Sequence, residues 1–314
     1  MFIIFQIVSI LFMIILVAFI FASNGTFIAI VAQNVCFRKV KNILMCSLAL
    51  SNILMICVVL ITVCLKAGFG FSNVNTYVCV FTSSGIWLFL WINFSTCFLL
   101  SFEQYMSIIV PIWHHIHMKS QGTGIKIVAY AWLLSLIGWI LYHLITNPID
   151  AWLLQPNSSV GCEAKLGYLL ISLVVLVILV TFFVGYVNCY MMYVGGRINK
   201  GSSNSAPTAL ERNYGTYVDS HVMKKERFKK ASRNFRRFIL IYISFIVVHF
   251  PVVVLVMIEE MFPNLIFEHI EKIRFGFIML QSIKLGLDPL LFSYKDVKLR
   301  KAFKSYMLCG ICRK

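Results

Sequence analysis

Charged side chains along this chain fall in clusters separated by long apolar stretches, and those stretches predict the architecture. No charged residue precedes Arg38. Further charge-free stretches run from Asn42 to Leu65, Ala67 to Phe102, Ile127 to Ile149, Leu166 to Gly196 and Phe238 to Ile258. A last one, Phe275 to Tyr294, is interrupted only by Lys284 and Asp288. Crossing bilayer hydrocarbon as a helix takes ~20 mostly apolar residues, and each stretch suffices. Leu, Ile, Val and Phe dominate them, without the ~10-residue alternating segments of a membrane β-barrel. A helix also satisfies its own backbone hydrogen bonds where no water is present. The pattern predicts an all-α integral membrane protein with a seven-transmembrane helix bundle. The helices are expected at about residues 2–32, 42–65, 76–105, 125–147, 167–195, 235–261 and 271–294. The first has no basic residues ahead of it, so it reads as an uncleaved helix rather than a signal peptide.

Composition agrees: 60% of residues are hydrophobic and 13% charged, with a mean hydropathy of +0.86. A soluble domain carries about a quarter charged residues, and this much apolar surface would aggregate in water. A soluble enzyme, a disordered chain and a nucleic-acid-binding protein are thereby excluded, despite a formal charge of +16.

The location of that charge sets the topology. With the N-terminus outside, 23 of the 28 basic residues fall on the inner face, eleven of them between Arg197 and Arg237. Only Lys66, Lys165, Lys272 and Arg274 fall outside, and Lys284 lies within the membrane. Positive loops stay cytoplasmic, so the plasma membrane is crossed N-terminus extracellular, C-terminus cytoplasmic. Residues 1–294 form the bundle, 196–234 a basic third intracellular loop, and 295–314 a cytoplasmic tail. The loop's basic end also suits anionic membrane lipids or a cytoplasmic protein.

Two of the ten cysteines, Cys79 and Cys162, are external on this topology, where an oxidising environment predicts a disulfide between them. Asn157-Ser158-Ser159 in the same outer loop is an accessible glycosylation sequence, whereas the sequons at Asn24 and Asn93 fall inside spans and are expected to be unused. Cys309 and Cys312 follow an amphipathic run and are candidates for palmitoylation, or are plain thiols.

Several motifs then line up in order. Asn24 stands in the first span, LALSN (Leu48 to Asn52) in the second, and STCFLLSFEQYMSIIVP in the third, with Cys79 placed 25 residues before Gln104. Trp132 follows in the fourth, FIVVHFP (Phe245 to Pro251) in the sixth and DPLLF (Asp288 to Phe292) in the seventh. Together they resemble the rhodopsin-like (class A) G-protein-coupled receptors along nearly the whole chain. The order Asn-Gly at Asn24 departs from the family's Gly-Asn. Asn52 replaces the helix 2 acid, Gln104 the arginine that follows Glu103, and His249 the helix 6 tryptophan. The fifth span lacks the usual proline, and either Tyr186 or Tyr190 fills the tyrosine role. KLRKAF resembles the short amphipathic eighth helix.

The resemblance implies a receptor, not an enzyme, with no cofactor or metal and with a heterotrimeric G protein and arrestin as partners. The arrestin sites would be Ser202, Ser203, Ser205 and Thr208. Its ligand pocket would be formed by Ser83, Ile86, Trp87 and Leu90, by His249, Val252, Val253 and Val256, and by Ile278 and Ser282. Ile86 stands where amine receptors carry an aspartate, and mostly apolar walls suit a small neutral or lipid-like ligand. The rim acids Glu259, Glu260, Glu268 and Glu271 instead suit a cationic peptide. The coupling and switch residues would be Glu103, Gln104, Tyr105, Pro111, Phe245, His249, Pro251, Asp288, Pro289 and Phe292.

The departures carry their own expectations. Without the arginine, Glu103 loses its usual partner, which predicts either raised basal activity or weakened coupling. Histidine is the side chain that can change charge in the physiological pH range, which tryptophan never does, so His249 is a neutral buried imidazole or a pH sensor. An ionisable residue inside a bilayer demands a partner. Lys284 and Asp288, four residues apart, share one helix face and join Asn24 and Asn52 in an intramembrane polar pocket. In the family this face and the helix 2 acid surround a sodium ion; here Lys284 either simply neutralises Asp288 or takes the cation's place. A small-solute transporter or a non-signalling scaffold of the same fold are the rival classes.

Overall fold

A computed structural model describes residues 2–69, 76–118, 120–146, 270–294 and 297–309, with isolated positions between 178 and 193 and between 243 and 258. Among the described residues there is no strand. The helices of the first four predicted spans are Phe2–Gln33, Val40–Phe69, Thr76–Ile109 and Gln121–Thr146, and that of the seventh is Ile270–Tyr294. A 3-10 turn, Val35–Phe37, joins the first two, and a short helix, Pro111–His117, follows the third. The tail forms a helix, Val297–Cys309.

Local chemistry explains the boundaries. The third-span helix continues past the predicted residue 105 to Ile109, because nothing there interrupts an apolar helix. It stops where Pro111 bars helical geometry from the residue before it, and Val110 sits at φ −127°, ψ 63°. Pro111 then starts the short helix, where a missing N–H costs nothing. The fourth-span helix begins at Gln121 because Ser120 caps it, its hydroxyl accepting the Thr123 N–H at 3.1 Å.

The second-span helix is the hub, packed against the first, third, fourth and seventh. Two apolar clusters fill the spaces between them. One gathers Phe27, Leu44, Leu48, Leu100 and Phe292 with Leu299 and Phe303, so the tail helix is sealed onto the bundle. The Phe27 and Phe292 rings meet edge to face at 5.8 Å. The other gathers Met13, Leu16, Ile20, Met55, Ile56, Met279 and Leu285, with Ile86 packed against it. Gly286 leaves room for a side chain of the first-span helix against the seventh: a Cβ there would run into the Phe19 ring.

The outward surface is apolar too. Tyr130, Leu133, Leu134, Ile137 and Leu141 of the fourth-span helix are exposed, as befits a helix whose solvent is lipid, while its Trp132 turns inward to donate to Ser47 Oγ at 2.8 Å. Leu11–Gln33, Val40–Ile61 and Gln121–Leu141 are each long and apolar enough to cross a membrane.

Candidate functional site

The buried polar chemistry of the bundle starts from one proline. Pro289 lies inside the seventh-span helix, and a proline has no N–H to return to the carbonyl four residues earlier. The Leu285 carbonyl is therefore left without its helical donor, in an interior where an unmet carbonyl is costly. Two asparagines from other helices meet it. Asn24 Nδ2 donates at 3.1 Å and Asn52 Nδ2 at 3.2 Å. Both asparagines are fully buried.

Around this carbonyl the network widens. Asn93 Nδ2, on the third-span helix, donates to Asn52 Oδ1 at 3.1 Å, and the Ser51 hydroxyl donates to Asn93 Oδ1. Asn52 Nδ2 also reaches Asp288 Oδ2 at 3.4 Å. Lys284 Nζ donates to the same oxygen at 2.8 Å, as an i,i+4 ion pair whose two side chains are 3% and 1% exposed. Asp288 Oδ1 is buried and finds no hydrogen-bond partner among the described residues. Asn24, Asn52, Lys284 and Asp288, which the sequence groups in one polar pocket, thus come together. Asn93 is the member sequence reasoning missed.

A second polar cluster forms at the far end of the third-span helix. Glu103 is buried, and both of its oxygens are engaged. Gln104 Nε2 donates to Oε2 at 2.6 Å, and His114 Nε2, from the short helix, lies 3.0 Å from Oε1. Glu103 thus lacks the family's arginine but not partners, since Gln104 and His114 take up its two oxygens. His117 is exposed and stacks on Trp113 at 4.7 Å. The physical reason is the proline turn, which folds the short helix back so that His114 meets the acid eleven residues earlier.

Beside this cluster lies a cleft of about 340 Å³. Phe98, Ser101, Phe102 and Tyr105 form one stripe of the third-span helix, and Tyr186, Val187 and Tyr190 face them from the fifth span. Tyr105 and both candidate tyrosines of the fifth span are therefore neighbours. The rest of the lining has the i, i+3, i+4, i+7 spacing of a single helix face, a pattern readable in the sequence but indistinguishable there from packing.

The predicted ligand pocket is only partly described. Ile86 and Leu90 are half-buried on the third-span helix, and Ser282 is buried on the seventh. Ser83, Trp87 and Ile278 lie on described helices with side chains outside the described set. His249, Val252, Val253, Val256 and Phe245 lie outside the described residues, as do Cys162, Asn157 and Cys312. Cys79 and Cys309 are helical, without described side chains. Pro251 is helical, and Phe292 is buried in the core.

No curated protein matches the chain. Residues 23–292, by contrast, match the family described as 7 transmembrane receptor (rhodopsin family), a match that spans both polar clusters. Members of that family are membrane receptors, with ligands and G proteins as partners in general. The chain belongs to the rhodopsin family of seven-transmembrane receptors.

Proposed function

We propose that this receptor transmits the binding of a small, apolar or lipid-like extracellular ligand to a heterotrimeric G protein, with arrestin as a further partner. The observation that carries the reading is the buried network in which Asn24, Asn52, Asn93 and Asp288 join four helices around the Leu285 carbonyl. Such a network gives the bundle a polar core whose hydrogen bonds can be exchanged as a unit. A ligand shifts the population toward a second arrangement only if it binds that arrangement more tightly. On this reading the sixth span, hinged at Pro251, opens the inner face, and the G protein meets Gln104, Tyr105 and the Pro111 turn.

The remaining parts follow the charge pattern. Residues 1–294 are the seven-span receptor domain, 196–234 the basic third inner loop, and 295–314 an eighth helix with a tail. The N-terminus is extracellular and the C-terminus cytoplasmic. Cys79 and Cys162 pair in a disulfide, Asn157 carries the glycan, and Cys309 and Cys312 carry palmitate. The ligand sits among Ser83, Ile86, Trp87, Leu90, His249, Val252, Val253, Val256, Ile278 and Ser282.

Gln104 favours one competing reading, a seven-helix scaffold that does not signal, because the family's arginine is the group that meets the G protein. A ligand-library screen with a G-protein biosensor, run on the wild type beside Gln104→Arg, separates the two. Basal or ligand-driven output from the wild type supports the receptor reading. Silence in both proteins, at normal surface expression, supports the scaffold.

A further inference from the structure

The family places a sodium ion against the face that carries Asp288, held together with an acid of the second span. The residues present here do not fit that ion. The second-span acid is Asn52, fully buried, and its amide nitrogen points at both the Leu285 carbonyl and Asp288. Of the network's side chains only Asp288 is a carboxylate, and one of its oxygens is occupied by the Lys284 ammonium at 2.8 Å. Lysine plus aspartate is a neutral pair. A sodium ion added at Asp288 Oδ1 would leave a net positive charge in an interior of low dielectric, one carboxylate away from a like charge. Oδ1 has no partner among the described residues, and beside an ammonium that oxygen suits a neutral donor such as water rather than a second cation.

We infer that Lys284 is a cation built into the chain that occupies the place of the diffusible ion, so that this receptor is blind to sodium. A covalently tethered ammonium cannot dissociate. Its escape from Asp288 requires only that a side chain on the same helix swing away, with no exchange of an ion with solvent. The electrostatic argument needs no bound ligand and no coupling partner, so it stands on family membership and geometry and not on the signalling proposed above.

The test is thermal unfolding of the purified full chain in detergent, with sodium chloride against choline chloride at equal ionic strength. The wild type is expected to unfold at the same midpoint in both salts. Lys284→Asn frees Asp288, and Lys284→Asn with Asn52→Asp supplies a second carboxylate. The double variant is expected to gain a sodium-dependent rise of about 2–4 °C, with a smaller rise in the single variant. A wild-type midpoint that climbs with sodium overturns the inference without any variant having to fold. So does a folded Lys284→Asn/Asn52→Asp protein that remains indifferent to the salt, since the lysine would then not be what excludes the ion. Neither readout involves signalling, so a failure here is distinct from a failure to couple.

Discussion

Two buried carboxylates, Asp288 and Glu103, solve the same problem in opposite ways. Asp288 lies in the middle of the bundle at 0% exposure, and its counter-charge is a lysine on its own helix one turn away. Glu103 lies near a helix end at 7% exposure, and the groups on its oxygens are a neutral amide and an imidazole from the next helix. Deep in an apolar interior the charge of a carboxylate must be cancelled nearby, and an i,i+4 partner on one rigid helix does so with the least reorganisation. Near the end of a helix, solvent and neutral donors share that burden. The contrast teaches that removal of the family's charge is tolerated at the edge, where Gln104 stands, and answered by a new charge in the centre, where Lys284 stands.

The comparison breaks most easily at its centre. Lys284→Met strands Asp288 without its counter-charge, which for a buried pair costs ~3–5 kcal/mol. Lys284→Met with Asp288→Asn removes both charges and is expected to recover most of that loss. Surface expression in cells and the unfolding midpoint in detergent both read it. Equal losses in the single and double variants would mean that the charge pair is not what matters.

The next effect belongs to the amides. Asn52→Leu removes a donor from Leu285 O and from Asp288, and an acceptor from Asn93. A buried polar group left unsatisfied costs ~1–3 kcal/mol, but Asn24 still covers the Leu285 carbonyl at 3.1 Å. Asn24→Leu with Asn52→Leu is therefore expected to lower the midpoint by more than the two single losses combined. Simple additivity would mean that the carbonyl is not the shared acceptor that joins them.

What the sequence could reveal of these sites follows from which partners are local. Lys284 and Asp288 were legible together because helical periodicity alone puts residues four apart on one face. The seventh-span helix was legible from its apolar stretch, and its ends, Ile270 and Tyr294, lie close to the pattern's limits. Pro289 carried a further readable clue, since a proline in an apolar helix always orphans the carbonyl four residues back. Asn93 was invisible in that role: as a residue of the third span it reads as an unused sequon, and its bond to Asn52 joins residues 41 apart. The pairing of Glu103 with His114 was hidden for a different reason. It depends on the angle of the turn at Pro111, which fixes where the next helix points but leaves no mark on hydrophobic periodicity.

The smallest effect is expected at that turn. The His114 side chain is 21% exposed, and an ion pair or charged hydrogen bond with this much solvent contributes at most ~1 kcal/mol. His114→Ala should therefore leave the unfolding midpoint nearly unchanged while it removes the only group that links Glu103 to the short helix among the described contacts. If that link holds the inner end of the third-span helix in its resting arrangement, basal G-protein output rises in His114→Ala. His114→Gln, which keeps a donor at nearly the same reach, returns it toward the wild-type level. Gln104→Arg supplies the cross-check: an arginine beside Glu103 competes for the same carboxylate, so it should make His114→Ala silent in the double variant. A rise in basal output from His114→Ala that persists undiminished with Gln104→Arg would show that the histidine acts elsewhere, and the edge of the bundle would then need a partner other than Glu103 to account for it.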